Sequence, residues 1–195
     1  MQTWAPDAVP PGRALERLQA GNERFVQGNG TAYTGFRPDL ASGQRPFAVI
    51  VGCSDSRVPA EIVFDVGLGE LFVVRVAGNI VAPSQVGSVE FAVSQFGSRL
   101  VVVMGHTRCG AIAATLRTLS GAQADSKNIA AITDRIAPNI RDCADPAAAV
   151  TANVRASVSH LQHGSRLIED LVIAGRVKIV GAVYAVETGL VSMME

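Results

Sequence analysis

Long apolar runs, a surplus of charge of either sign and an even set of cysteines are all missing from this 195-residue chain. No stretch approaches the roughly 18 apolar residues that a membrane span requires, so a spanning helix is excluded. The opening Met1-Gln2-Thr3-Trp4-Ala5-Pro6-Asp7 has no basic segment leading into an apolar one. That predicts a protein that is not exported and works in the cytoplasm. Lys plus Arg number 17 and Asp plus Glu number 17, so the formal net charge is zero. With no field to recruit nucleic acid or an anionic membrane, neither is an expected partner, and a small neutral or singly charged substrate fits better. The 3 cysteines are an odd count and too few for a disulfide framework. Thiols so used point to a reducing compartment, where they serve metals or chemistry. Internal repeats, low-complexity tracts and linkers are also lacking, and the length fits one domain able to fold without a staple.

What is present is a set of continuous apolar runs. Phe47-Ala48-Val49-Ile50-Val51, Leu71-Phe72-Val73-Val74 and Leu100-Val101-Val102-Val103-Met104 do not alternate with polar residues. Such runs predict strands covered on both faces, hence an α/β domain built on a mostly parallel sheet with helices on each side. The expected strand order is 2-1-3-4, with a short antiparallel edge strand. Between the runs lie two helical stretches, Val58 to Val66 closed by Gly67 and Ser84 to Phe96 closed by Gly97, both glycines standing where a C-terminal cap wants them. Gly12 to Gly28 predicts an amphipathic helix, and Thr31 to Pro46 a loop with at most a short helix. After Gly110 an Ala- and Leu-rich helix is expected, then a more polar stretch from Lys127 to Arg141. Asp145-Pro146 announces a helix that could run to Ala174. A strand from Val177 to Ala185, a turn at Glu187-Thr188-Gly189 and a last strand from Leu190 to Met194 complete the chain. Residues 1–30 are taken as an N-terminal helical arm and 31–195 as the domain proper.

Two motifs follow two of these strands. Cys53-Ser54-Asp55-Ser56-Arg57 comes directly after Gly52, and His106-Thr107-Arg108-Cys109-Gly110 directly after Gly105. In open parallel sheets, ligands bind outside the carboxyl ends of the strands, where the strand order reverses. If the first and third strands are neighbours, both motifs meet there. Two thiolates, an imidazole and a spare carboxylate are the donors zinc prefers. Cys109 would also start a helix, where unpaired N–H groups favour a thiolate. A metal with three firm ligands keeps a fourth position for water, whose pKa falls from 15.7 to about 7. A buried cysteine taken singly is as well explained by core packing; the two in order, each after a strand, are not. Asp55 and Arg57 also admit a plainer reading, as a helix-start carboxylate and a surface ion pair.

Cys-Ser-Asp-Ser-Arg followed by Gly-His-Thr-x-Cys-Gly, with Gly-Glu-Leu-Phe-Val-Val-Arg between them, resembles the beta-class carbonic anhydrases from about Leu15 to Tyr184. The resemblance implies one Zn2+ per chain bound by Cys53, His106 and Cys109, with Asp55 either ligating it or held off by Arg57. It implies reversible hydration of carbon dioxide to bicarbonate and a proton. Gln44, Phe72 and Phe91 fall where plant-like members surround the substrate, and Ala77 stands at a position often held by Val. Phe91 replaces a frequent Tyr, and Arg75-Val76-Ala77-Gly78-Asn79 departs from the more usual Arg-Asn-Val-Ala-Asn. Members with a non-catalytic bicarbonate site carry Trp three residues before the first cysteine; here that residue is Ile50, so such allostery is not expected. A homodimer or homotetramer is implied, with the N-terminal helix reaching across a partner and the pocket close to the interface. Two rival readings keep the zinc: a carbon disulfide hydrolase, and a non-catalytic bicarbonate-binding protein whose metal is closed by four protein ligands.

Other residues carry plainer expectations. His160 and His163 share a helix face and could hold a metal or shuttle protons, but such residues most often simply face water. Cys143 has no partner motif and is expected to be a free thiol in a loop. Gly67-Leu68-Gly69-Glu70 is not a phosphate loop, because it precedes a strand and no Lys-Ser/Thr follows.

Overall fold

A computed structural model describes residues 8–31, 35–143 and 145–194. Five strands form one sheet: β1 (Ala48–Gly52), β2 (Leu71–Arg75), β3 (Leu100–His106), β4 (Lys178–Tyr184) and β5 (Val191–Met194). Their order is β2-β1-β3-β4-β5, all parallel except for the antiparallel β4–β5 pair, as the sequence predicted. The apolar runs behave as two-sided strands should. Every residue of β1 and β3 is buried.

Alternate residues feed two cores. On one face Ala48, Ile50, Val102 and Met104 pack under α1 (Pro11–Val26) and α2 (Ala60–Val63), through Ala14, Leu18, Val63 and Phe64. On the other, Val49, Val51, Val101 and Val103 meet α3 (Pro83–Phe91), α6 (Pro146–His163) and α7 (Arg166–Ile173). A third cluster lies beyond the carboxyl ends of the strands. There Ile112 of α4 (Gly110–Leu119), Ile136 and Ile140 of α5 (Lys127–Ile140) and Val150 of α6 close over Cys53 and Cys109. Among the described residues no helix is long and apolar enough to cross a membrane.

The structure differs from expectation at several boundaries, each for a local reason. The long helix projected from Asp145 to Ala174 is two helices, because Ser165 accepts a bond from the Ile168 amide at 3.3 Å and so caps a new start. The polar stretch at 127–141 is the full helix α5, capped by Ser126 and running through Pro138, with an apolar side at Thr133, Ile136 and Ile140. The stretch expected to be helical from Val58 to Val66 keeps only four helical residues. Asp65 turns left-handed (φ 44°) and is pinned there by Arg24 and the Thr31 amide, so Asp65 rather than Gly67 ends the run. Gly97 does cap as predicted, at φ 68°, after a wide turn over Ala92–Phe96 that extends α3.

The N-terminal helix packs on its own chain. Asn22, buried on α1, donates to the carbonyls of Val63 (3.1 Å) and Gly189 (2.8 Å) and accepts from the Val191 amide (2.8 Å). One side chain thereby joins α1, α2 and the turn before β5.

Candidate metal centre

Parallel pairing of β1 with β3 sets Gly52 level with Met104, so the two chains leave the sheet side by side, one at Cys53 and the other after His106. His106 itself is still the last residue of β3. The chain then turns through Arg108, a non-glycine residue at φ 55°, which delivers Cys109 to the N-cap of α4. The Sγ atoms of Cys53 and Cys109 and a ring nitrogen of His106 lie within 4.8 Å of one another, all buried. Among the described residues no other group of His, Cys, Asp and Glu is so arranged.

The donor set fits a metal on an observation independent of motif. His106 donates from Nδ1 to the Thr107 carbonyl (2.8 Å), which leaves Nε2 as the free lone pair. That Nε2 is fully buried and has no hydrogen-bond partner. An orphaned ring nitrogen is costly unless a donor or an ion fills the gap, and the two sulfurs beside it suit a metal ion. The thiols share their charge unequally: a bond from Cys109 holds the Cys53 thiol well below its usual range, while the same contact pushes Cys109 up.

Asp55 stands beside the cluster and is turned away from it. Its carboxylate accepts from Arg57 Nε at 2.9 Å and Nη2 at 2.7 Å, and from the Arg57 amide at 3.0 Å, while Oδ2 is 3.9 Å from His106 Nε2. The Arg57 bond holds the Asp55 carboxyl well below the usual carboxylate range. Arg57 in turn donates to the Arg108 carbonyl (3.3 Å).

Several supporting residues carry no sequence signature of their own. Arg75, at the end of β2, donates to the carbonyls of Cys53 (2.9 Å) and Asp55 (2.5 Å), fixing the path of the first motif. The Gly78 amide donates to Cys53 Sγ (3.3 Å) from the tight turn Ala77–Asn79. Glu187 accepts from Thr107 Oγ1 (2.7 Å) and Arg108 Nε (2.5 Å), so the turn after β4 clamps the second motif. Arg75 ends the Gly69-Glu70-Leu71-Phe72-Val73-Val74-Arg75 stretch with nothing in the stretch to mark its role, and Glu187 reads in the sequence only as a turn residue.

The remaining expected residues divide. Ala77 lies one residue from Gly78 and so borders the cluster in this chain. Gln44 is exposed in the loop before β1, at the end of the sheet opposite Cys53. Phe72 packs with Phe91 (6.3 Å between ring centres) and Phe96 (5.9 Å), a group away from the cluster in which Phe91 stays 53% exposed. His163 pairs with Glu169 at 3.2 Å, and Cys143 is a half-buried free thiol against the third core cluster. Glu70 accepts from the Gly67 amide (2.7 Å) and pairs with Arg17, a structural turn before β2.

Comparison with known proteins agrees with this geometry. Residues 48–191 match the family described as carbonic anhydrase. The chain is 37% identical over 187 residues to carbonic anhydrase 2 of Mycobacterium tuberculosis, covering 92% of this chain and 90% of that protein. Among solved structures it resembles the beta-carbonic anhydrase CcaA, with a TM-score of 0.70 and 25% identity over 93% of this chain and 95% of the other. It also resembles one of two tetrameric beta-carbonic anhydrases of Sordaria macrospora, with a TM-score of 0.70 and 21% identity over 93% of each chain.

Proposed function

This chain belongs to the beta-class carbonic anhydrases, enzymes of reversible carbon dioxide hydration, and from that membership we propose how its own residues serve the reaction. Cys53, His106 and Cys109 hold one Zn2+. Zinc, when bound, supplies Lewis acidity that lowers the pKa of water from 15.7 to about 7, making hydroxide available near neutral pH. The observation that carries this reading is the buried, partnerless Nε2 of His106, set against two thiol sulfurs.

Asp55 acts as an orienting acceptor. Its two oxygens are tied to Arg57, so it is kept ionised and beside the cluster, where it accepts a hydrogen bond from the attacking water. The same bidentate pair counts against a permanently four-ligand site, which has no use for a carboxylate held by arginine. Ala77 supplies apolar wall next to Cys53, suited to a substrate with little to grip beyond shape. The proton released passes to buffer.

Gln44, Phe72 and Phe91 belong to the substrate pocket only if a second copy brings them to the first copy's cluster, because within one chain they stand elsewhere. The exposure of Phe91 in an aromatic group supports a homodimer or homotetramer. Three free thiols support a cytoplasmic setting.

The test is Cys109→Ala. Zinc content and hydration should both be lost; a zinc-free variant with full activity refutes the assignment.

A further inference from the structure

Behind the cluster a line of hydrogen bonds runs from the outer helices to one of the sulfurs. Asn139 on α5 donates from Nδ2 to Oδ1 of Asn153 on α6 (3.1 Å). Asn153 donates from its own Nδ2 to the Gly78 carbonyl (2.9 Å), and the Gly78 amide donates to Cys53 Sγ (3.3 Å). Asn153 is 1% exposed. An amide buried that deeply costs free energy unless both its ends are bonded, and an apolar residue would fill the space more cheaply. Both ends here are used, and one is spent on a single backbone carbonyl.

Gly78 is the residue that most needs such a hold. Its φ is 69°, and a Cβ there would stand 2.6 Å from Ile136 Cδ1 and 2.9 Å from Ala111 Cβ, so only glycine fits. Glycine brings backbone freedom with it. Without a partner on its carbonyl, nothing in its own side chain would keep its N–H aimed at the sulfur.

We propose that Asn153 is a positioning residue of the metal centre: by holding the Gly78 carbonyl it fixes the Gly78 N–H on Cys53 Sγ and thereby limits the charge that sulfur gives the metal. The inference rests on Cys53 being a ligand. A hydrogen bond to a thiolate ligand draws charge from it, leaving the metal a stronger Lewis acid. Losing the bond therefore makes the sulfur richer in charge and the metal a weaker acid.

The test loads the full-length protein with Co2+ in place of zinc and reads the sulfur-to-cobalt charge-transfer band together with cobalt content. In Asn153→Ala the band should move to longer wavelength, because a charge-rich sulfur gives up its electron more easily. The midpoint of the hydration pH profile should move upward, as a weaker Lewis acid requires. Asn139→Ala leaves the donor to Gly78 in place but frees the amide to turn, and should shift the band less, in the same direction. A band unchanged in folded Asn153→Ala overturns the proposal, since a residue that acts only through packing would leave it still. If Asn153→Ala does not fold, Asn139→Ala decides, and its unshifted band overturns the proposal. A parent protein that takes up no cobalt refutes instead the metal assignment on which the proposal stands.

Discussion

Asp55 accepts three bonds from Arg57, two from the side chain and one from the backbone amide, while lying 3.9 Å from the free nitrogen of His106. The carboxylate thus stands beside the Cys53–His106–Cys109 cluster and is held there by one guanidinium. Arg57→Ala should leave zinc content near that of the parent but cut hydration at least about 10-fold, as the freed carboxylate turns toward the metal; metal analysis alongside a stopped-flow assay checks both. Glu187 offers a second residue-level prediction. Bonds from Thr107 and Arg108 hold its pKa down to about 2. A depressed carboxyl contributes stability that is complete above its unfolded pKa and fades as the pH falls toward the folded one. Glu187→Ala should therefore melt below the parent at neutral pH, with the gap narrowing between about pH 4.5 and pH 2. A gap independent of pH contradicts this role. Cys53, His106 and Cys109 were legible in the sequence because ligand chemistry restricts residue type. Arg75, Asn153 and Glu187 were not, because they act on carbonyls and a turn that are near only after folding.

At the scale of elements, α6 lies close on the sheet because two strands lack side chains beneath it. A Cβ on Gly105 of β3 would come 2.6 Å from Val154 Cγ2, and one on Gly181 of β4 would come 2.9 Å from Val154 Cγ1. Gly105→Ala should cost about 1–3 kcal/mol in a urea melt. Adding Val154→Ala should return part of that loss, since the methyls that clash are then gone; a purely additive pair would mean that the helix does not sit on these glycines. The strands and their order were readable from continuous apolar runs, which need cover on both faces. Helix limits were less so. The break between α6 and α7 depends on the Ser165 cap within a sequence otherwise suited to one helix, and α5 tolerates Pro138 because its apolar side is held by packing. Asp65 shortens α2 through contacts made 41 and 34 residues away, with Arg24 and Thr31. Local pattern does not register such partners.

Over the whole molecule, the carboxyl ends of the strands carry the Cys53–His106–Cys109 cluster and the amino ends carry Gln44, with the Phe72, Phe91 and Phe96 group toward one edge. A pocket that uses both sets of residues requires two copies. Phe91→Asp should therefore yield a smaller species by light scattering that still binds zinc but hydrates carbon dioxide poorly, whereas an unchanged assembly with full activity would confine the pocket to one chain. All of this stands on a metal held by two sulfurs and one imidazole. Zinc-edge X-ray absorption of the purified protein at about pH 8 tests that most directly. Two Zn–S distances of about 2.3 Å and one Zn–N distance of about 2.0 Å are expected, with one further light-atom neighbour. A shell without sulfur, or with one sulfur only, would contradict it.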